Sequence, residues 1–124
     1  MAYVRKKKVG SYSYYQVVEN RRVEGVPRQR VLLHLGEYPS VEEALFGLPW
    51  DIFSAREDAR EARERYEARA PPPARRRSYE EEEARLLRRA ERIQKRLDLL
   101  EDLIERAVVE KSAKAREERH GEEG

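Results

Sequence analysis

Cysteine is absent from this 124-residue chain, and histidine occurs only twice. No disulfide framework and no cysteine-based zinc site can form, and His34 and His120 alone do not make a metal site. Long apolar runs are missing too. Nothing approaches the roughly 20 residues that span a bilayer, and the N-terminus lacks the apolar core of a signal peptide. A cytoplasmic chain with no cofactor and no membrane partner is expected. Phosphate-binding glycine loops and nucleophile elbows are also absent. The four aspartates, Asp51, Asp58, Asp98 and Asp102, fall in highly charged segments read as helix. Paired catalytic carboxylates need a scaffold that brings distant residues together, and no such scaffold is visible. No catalytic residue is assigned, and the chain is not expected to be an enzyme.

Charge is what the sequence has in abundance: 42% of residues are charged against 39% hydrophobic. Such a chain is expected either to build helices with narrow apolar stripes or to be partly disordered, rather than to form one large core. The net charge of +2 hides an asymmetry. Residues 1–38 hold eight Lys/Arg against three Asp/Glu, a balance of +5. Residues 39–70 hold five against eight, and residues 71–124 hold fourteen of each. The excess positive charge at the front points to a polyanionic partner there.

Three short strands are predicted in that basic third. The first covers residues 2–9 and stops at Gly10. The second covers 12–20 and is rich in Tyr and Val, which suit a pleated, half-buried surface. The third runs from Arg28 to Leu35, after a turn at Gly25 and Pro27. Connections this short imply an antiparallel meander. Strict alternation puts Val31, Leu33 and Leu35 on one face of the third strand, and Arg28, Arg30 and His34 on the other. Ser40 and Glu43 then form a capping-box pattern. The helix it starts is expected to be short, because Gly47 and Pro49 interrupt it. This gives a basic sheet domain with a short helix over 1–47 and a second helix over 48–70. A Pro/Arg linker over 71–77 comes next, then a long amphipathic helix over 78–119 and a tail over 120–124.

The long helix carries the clearest periodicity. Leu86, Ala90, Ile93, Leu97, Leu100, Ile104 and Ala107 are spaced by steps of four and three, a coiled-coil-like seam. Ile52, Ala55, Ala59, Ala62 and Tyr66 repeat it more thinly on the preceding helix. Two uses remain open: an intramolecular hairpin folded at the prolines, or self-association with a second copy or a partner protein through residues 78–119. Leu86, Ile93, Leu97, Leu100 and Ile104 would carry the packing. Trp50, with Ile52 and Phe53, is read as an anchor for the second helix. The predicted class is α+β: a three-stranded antiparallel sheet followed by a helical hairpin or coiled-coil segment.

The candidate binding residues are Arg5, Lys6, Lys7, Lys8, Arg21, Arg22, Arg28 and Arg30. Lysine neutralises phosphate and arginine can also read base edges, so a small basic sheet suits nucleic acid. Tyr3, Tyr12, Tyr14 and Tyr15 could add contacts to sugar or base. Backbone contacts serve RNA as well as DNA.

Three blocks in fixed order narrow the choice. Tyr3-Val-Arg-Lys-Lys-Lys, then Tyr14-Tyr-Gln-Val-Val-Glu, then Pro27-Arg-Gln-Arg-Val-Leu-Leu-His-Leu-Gly36 resemble the N-terminus of DDE-type insertion-sequence transposases. The resemblance covers residues 2–46 and implies a DNA-associated domain. That family's catalytic Asp-Asp-Glu residues lie in a separate large domain, and no position here matches them. Non-catalytic binding of duplex DNA through the basic sheet, with self-association through the helices, is the leading expectation. The alternative is a protein-interaction module or assembly factor acting through the C-terminal helix, with no nucleic-acid role.

Overall fold

A computed structural model of the chain describes residues 1–70 and 72–116. Its elements are β1 (Tyr3–Val9), β2 (Tyr12–Val23), β3 (Val26–Gly36), α1 (Val41–Arg69), α2 (Pro73–Glu105) and β4 (Ala115–Arg116). The class is α+β, as the sequence indicates. The sheet has four strands rather than three, in the order β3-β2-β1-β4. Strand β4 lies parallel to β1, with Val4 beside Ala115 and Arg5 beside Arg116. Two residues are too few to show any alternation, so no sequence pattern announces this strand.

The β1–β2–β3 meander is held by tight turns. Glu24 and Gly25, the two residues between β2 and β3, have φ of 55° and 79°. Positive φ at both central positions is what a type I′ hairpin turn requires. Register shifts in the β2–β3 pairing bend the simple alternation. Val17 pairs with Leu33 but Val18 pairs with Val31, so Leu32 is an extra residue on β3. Leu35 is extra in the same way, between His34 and Gly36. Each bulge reverses the parity of the strand residues beyond it.

The chain divides into two compact units, each described separately. The sheet unit comprises Met1–Gly47 together with the chain from Arg96 onward. Its buried residues are Val4, Val17, Val18, Leu33 and Leu35 from the sheet, Val41 and Ala44 from α1, and Leu97, Leu100, Leu103 and Val109. Backbone hydrogen bonds tie its two chain segments together. Ala2 N–H donates to Val108 O (2.9 Å), Val41 N–H to Ala113 O (2.9 Å) and Ala115 N–H to Pro39 O (2.7 Å). Ser40 caps α1 as predicted, its Oγ accepting from the Glu43 N–H (3.1 Å) and donating to the Glu43 carboxylate (2.9 Å).

The second unit, Leu48–Lys95, is an antiparallel helical hairpin. Ile52, Ala55, Ala59 and Ala62 are buried on α1, and Ala90 and Ile93 on α2. Tyr66 meets Tyr79 with ring centroids 5.7 Å apart. Arg63 pairs with Glu83 (3.4 Å) and Arg65 with Glu82 (3.5 Å).

Three helix boundaries differ from the sequence reading. First, α1 is one helix through Gly47 and Pro49. Proline inside a helix costs about 3 kcal/mol. Here the buried stripe Val41, Ala44, Leu48, Ile52, Ala55 continues without a break on both sides of it. Gly47 is a packing residue rather than a breaker, because a Cβ there would collide with the Tyr38 ring. Second, α2 begins at Pro73, so Arg75–Arg77 are helical and not part of a linker. Proline has no N–H to leave unpaired at a first helical position. Third, α2 ends at Glu105 instead of near residue 119. Ala107 adopts φ 57°, with Val108 N–H donating to Leu103 O (2.9 Å) and Ala107 N–H to Ile104 O (3.0 Å). That pair of bonds is a Schellman cap. Glycine usually marks this position, and alanine hides it from sequence. Residues 117–119 of the predicted helix, and the 120–124 tail, lie outside the described residues.

Candidate nucleic-acid interface

Strand pairing sorts the basic residues by face. One face of the sheet carries Val4, Val17 and Leu33, all buried in the core of the unit. The opposite face, open over most of its area, carries Tyr3, Arg5, Lys7 and Val9 from β1, and Tyr12, Tyr14, Gln16, Val18, Asn20 and Arg22 from β2, of which Gln16 and Val18 are buried. Gln29, Val31 and His34 join it from β3, through their pairing with β2. Val31 and His34 thus share a face, whereas strict alternation separates them. The bulge at Leu32 causes the change.

The predicted binding residues therefore do not form a single cluster. Arg5, Lys7 and Arg22 lie on the open face. Lys6, Lys8, Arg21, Arg28 and Arg30 have the core-side parity, yet all five are exposed to solvent. Every residue from Asn20 to Val31 is exposed, so the distal halves of β2 and β3 form a two-stranded ribbon with both faces in water. Four arginines stand on it: Arg21, Arg22, Arg28 and Arg30. Arg21 pairs directly with Arg28, and Arg30 with Glu19. Like charges directly opposite one another destabilise a sheet. Among the described residues, no ion pair involves Arg21, Arg22, Arg28 or Arg30, or any of Lys6–Lys8. Arg22 instead donates to the Gly25 carbonyl (3.3 Å).

Arg5 differs from the rest. It is half-buried and donates to Gln16 Oε1 (2.8 Å) and to Gln29 Oε1. Gln29 in turn donates to the Tyr3 hydroxyl (2.8 Å), and the Gln16 amide nitrogen lies 3.3 Å from His34 Nδ1. The Arg116 guanidinium stacks 4.3 Å from the Tyr3 ring centroid. Arg5 thus braces the open face. Its own Nε is buried without a partner. Gln16, Gln29 and Arg116 had no signal in the sequence, because their contacts depend on register and on the two-residue β4.

The residues assigned to helix packing are mostly used within the chain. Ile93, Leu97 and Leu100 are buried, and Leu86 and Ile104 are half-buried. Trp50 does not anchor α1; it is 61% exposed, beside Phe53 at 56%. Among the described residues, no three His, Asp or Glu side chains come together as a metal site, and no helix is long and apolar enough to cross a membrane.

A sequence model of the IS1634 family transposase N-terminal domain matches residues 2–74. The chain belongs to this family. The family match extends well beyond residues 2–46, taking in all of α1 and the first residues of α2. The continuous α1 is therefore part of the family domain, together with the β1–β3 meander. No curated protein and no solved structure matches the chain.

Proposed function

We propose that this transposase N-terminal domain is a non-catalytic DNA-binding module that grips duplex DNA through the arginine ribbon of β2 and β3. The observation that carries the reading is the Arg21–Arg28 cross-strand pair. It sits on an exposed ribbon and, among the described residues, has no carboxylate partner. Such a pair costs stability in the free protein and is useful against a polyanion. A two-stranded ribbon also has the width to enter a major groove, where arginine can bind phosphate or guanine. Lys6, Lys7 and Lys8 add positive charge on β1.

No catalytic step is assigned to these residues. Asp51 and Asp58 lie on α1, and Asp98 and Asp102 on α2. Self-association is assigned to different residues from the heptad seam. Leu97 and Leu100 are covered within the chain, whereas Trp50 and Phe53 present exposed rings on one side of α1. DNA is preferred to RNA because the major groove of A-form RNA does not admit such a ribbon.

Two variant sets separate ribbon from strand. Duplex binding by fluorescence anisotropy should fall strongly for Arg21→Ala/Arg28→Ala and more mildly for Lys6→Ala/Lys8→Ala. Equal affinity for wild type and both variants would refute the assignment.

A further inference from the structure

The sheet carries a second surface, whose composition differs from that of the ribbon. On the open face Tyr12, Tyr14 and His34 form a row of rings. Tyr12 and Tyr14 stack with centroids 6.2 Å apart and planes inclined by 27°. The Tyr14 and His34 centroids are 6.4 Å apart, with planes inclined by 43°. Tyr12 is 61% exposed. Lys7 stands directly across from Tyr14, and exposed Val9 across from Tyr12. The row is braced from its side on the same face, since Arg5 holds Gln16 and Gln16 meets His34.

Tyrosine suits a strand on propensity alone, but two further features point to a ligand. Among the described residues, the open face of the four strands holds Arg5, Lys7, Arg22 and Arg116 and no carboxylate. Of its three rings, Tyr12 and His34 are exposed, and half-buried Tyr14 stands directly across from the cation Lys7. Duplex DNA offers little to such a row, because its base faces are already stacked on each other. An unpaired nucleotide offers both a free π-face and a phosphate, the two groups this surface is built to meet.

We propose that Tyr12, Tyr14 and His34 stack unpaired bases of single-stranded DNA, with Lys7 neutralising the adjacent phosphate. The domain then has two DNA contacts: the ribbon for duplex, and the ring row for a single-stranded stretch. This inference rests on the DNA-binding reading above but uses different residues, so the two can fail separately.

The test uses the full chain and two fluorescein-labelled probes, an oligothymidylate and a blunt duplex, at one low salt concentration. Wild type should bind both. Tyr12→Ala/Tyr14→Ala should weaken oligothymidylate binding by at least about 5- to 150-fold, the span expected for losing a single base stack, and leave duplex binding within about twofold. Tyr12→Phe keeps the ring and should retain the single-strand affinity. Circular dichroism checks that each variant is folded. Oligothymidylate binding that survives the double alanine change overturns the inference, and so does a parallel loss on both probes. Duplex binding without any single-strand binding also overturns it while sparing the ribbon. An oligouridylate bound more tightly than oligothymidylate would assign the surface to RNA and overturn the DNA assignment. Failure of wild type to bind either DNA probe removes the underlying reading itself.

Discussion

Arg21 and Arg28 face each other across β2 and β3, and repulsion at that distance works against the hairpin. The same pair is the strongest candidate for DNA contact, so one substitution should move stability and binding in opposite directions. Arg21→Ala is expected to raise the melting temperature slightly, by relief of a few tenths of a kcal/mol up to about 1 kcal/mol, while weakening duplex binding. Thermal melts beside anisotropy titrations would show it; a drop in melting temperature would mean the arginines support the hairpin. The basic residue types can be picked out from composition alone, but their grouping cannot. Alternation places His34 with Arg28 and Arg30, and the bulge at Leu32, which lies between them, puts His34 on the open face and the two arginines on the other parity. A bulge inserts one residue without leaving a mark in the hydrophobic pattern, which is why the face assignment fails at this point.

At the level of elements, the strands and the capped start of α1 are readable because Tyr/Val alternation, turn glycines and the Ser40–Glu43 pattern are local signals. Helix ends are less readable. Gly47 and Pro49 look like breakers, yet the stripe from Val41 to Ala62 stays buried across them. Ala107 ends α2 in a left-handed conformation, which disfavours a side chain. Ala107→Gly should therefore stabilise the protein by about 0.5–1 kcal/mol, seen as a higher denaturant midpoint with unchanged slope. A lower midpoint would show that the cap is not a determinant of this end. Leu100, fully buried in the sheet unit, should cost about 2–5 kcal/mol when changed to alanine. A coiled-coil seam residue exposed in the free chain would cost far less, so this measurement distinguishes the internal role of the seam from an intermolecular one. On the hairpin, the Arg60 guanidinium hydrogen-bonds to the Glu57 carboxylate and holds its pKa below the usual range. The pair's contribution is present above the ordinary carboxylate pKa and is lost as pH falls through the lowered value. Both groups are solvent-exposed, so acid should affect helicity here only weakly.

For the whole molecule, the sheet unit joins the two ends of the described chain. Residues 1–47 are completed by the chain from Arg96 onward, through Val109 in the core and β4 beside β1. This closure is not legible in the sequence, since residues 106–116 read there as the continuation of the long helix, with Ala107 as the last position of its seam. Removing everything after Glu105 is expected to strip the edge of β1, expose its core and abolish the cooperative melt of the sheet. Unchanged melting of such a truncation would show that residues 106–116 are dispensable to the fold. Whether the arginine ribbon is the duplex-binding element shows in the salt dependence of duplex binding for wild type and Arg21→Ala/Arg28→Ala. Each phosphate contact contributes about −0.9 to the slope of log K against log salt. The double variant should bind more weakly, with a slope shallower by up to about 1.8. Identical slopes and affinities for the two proteins would contradict that role of the ribbon.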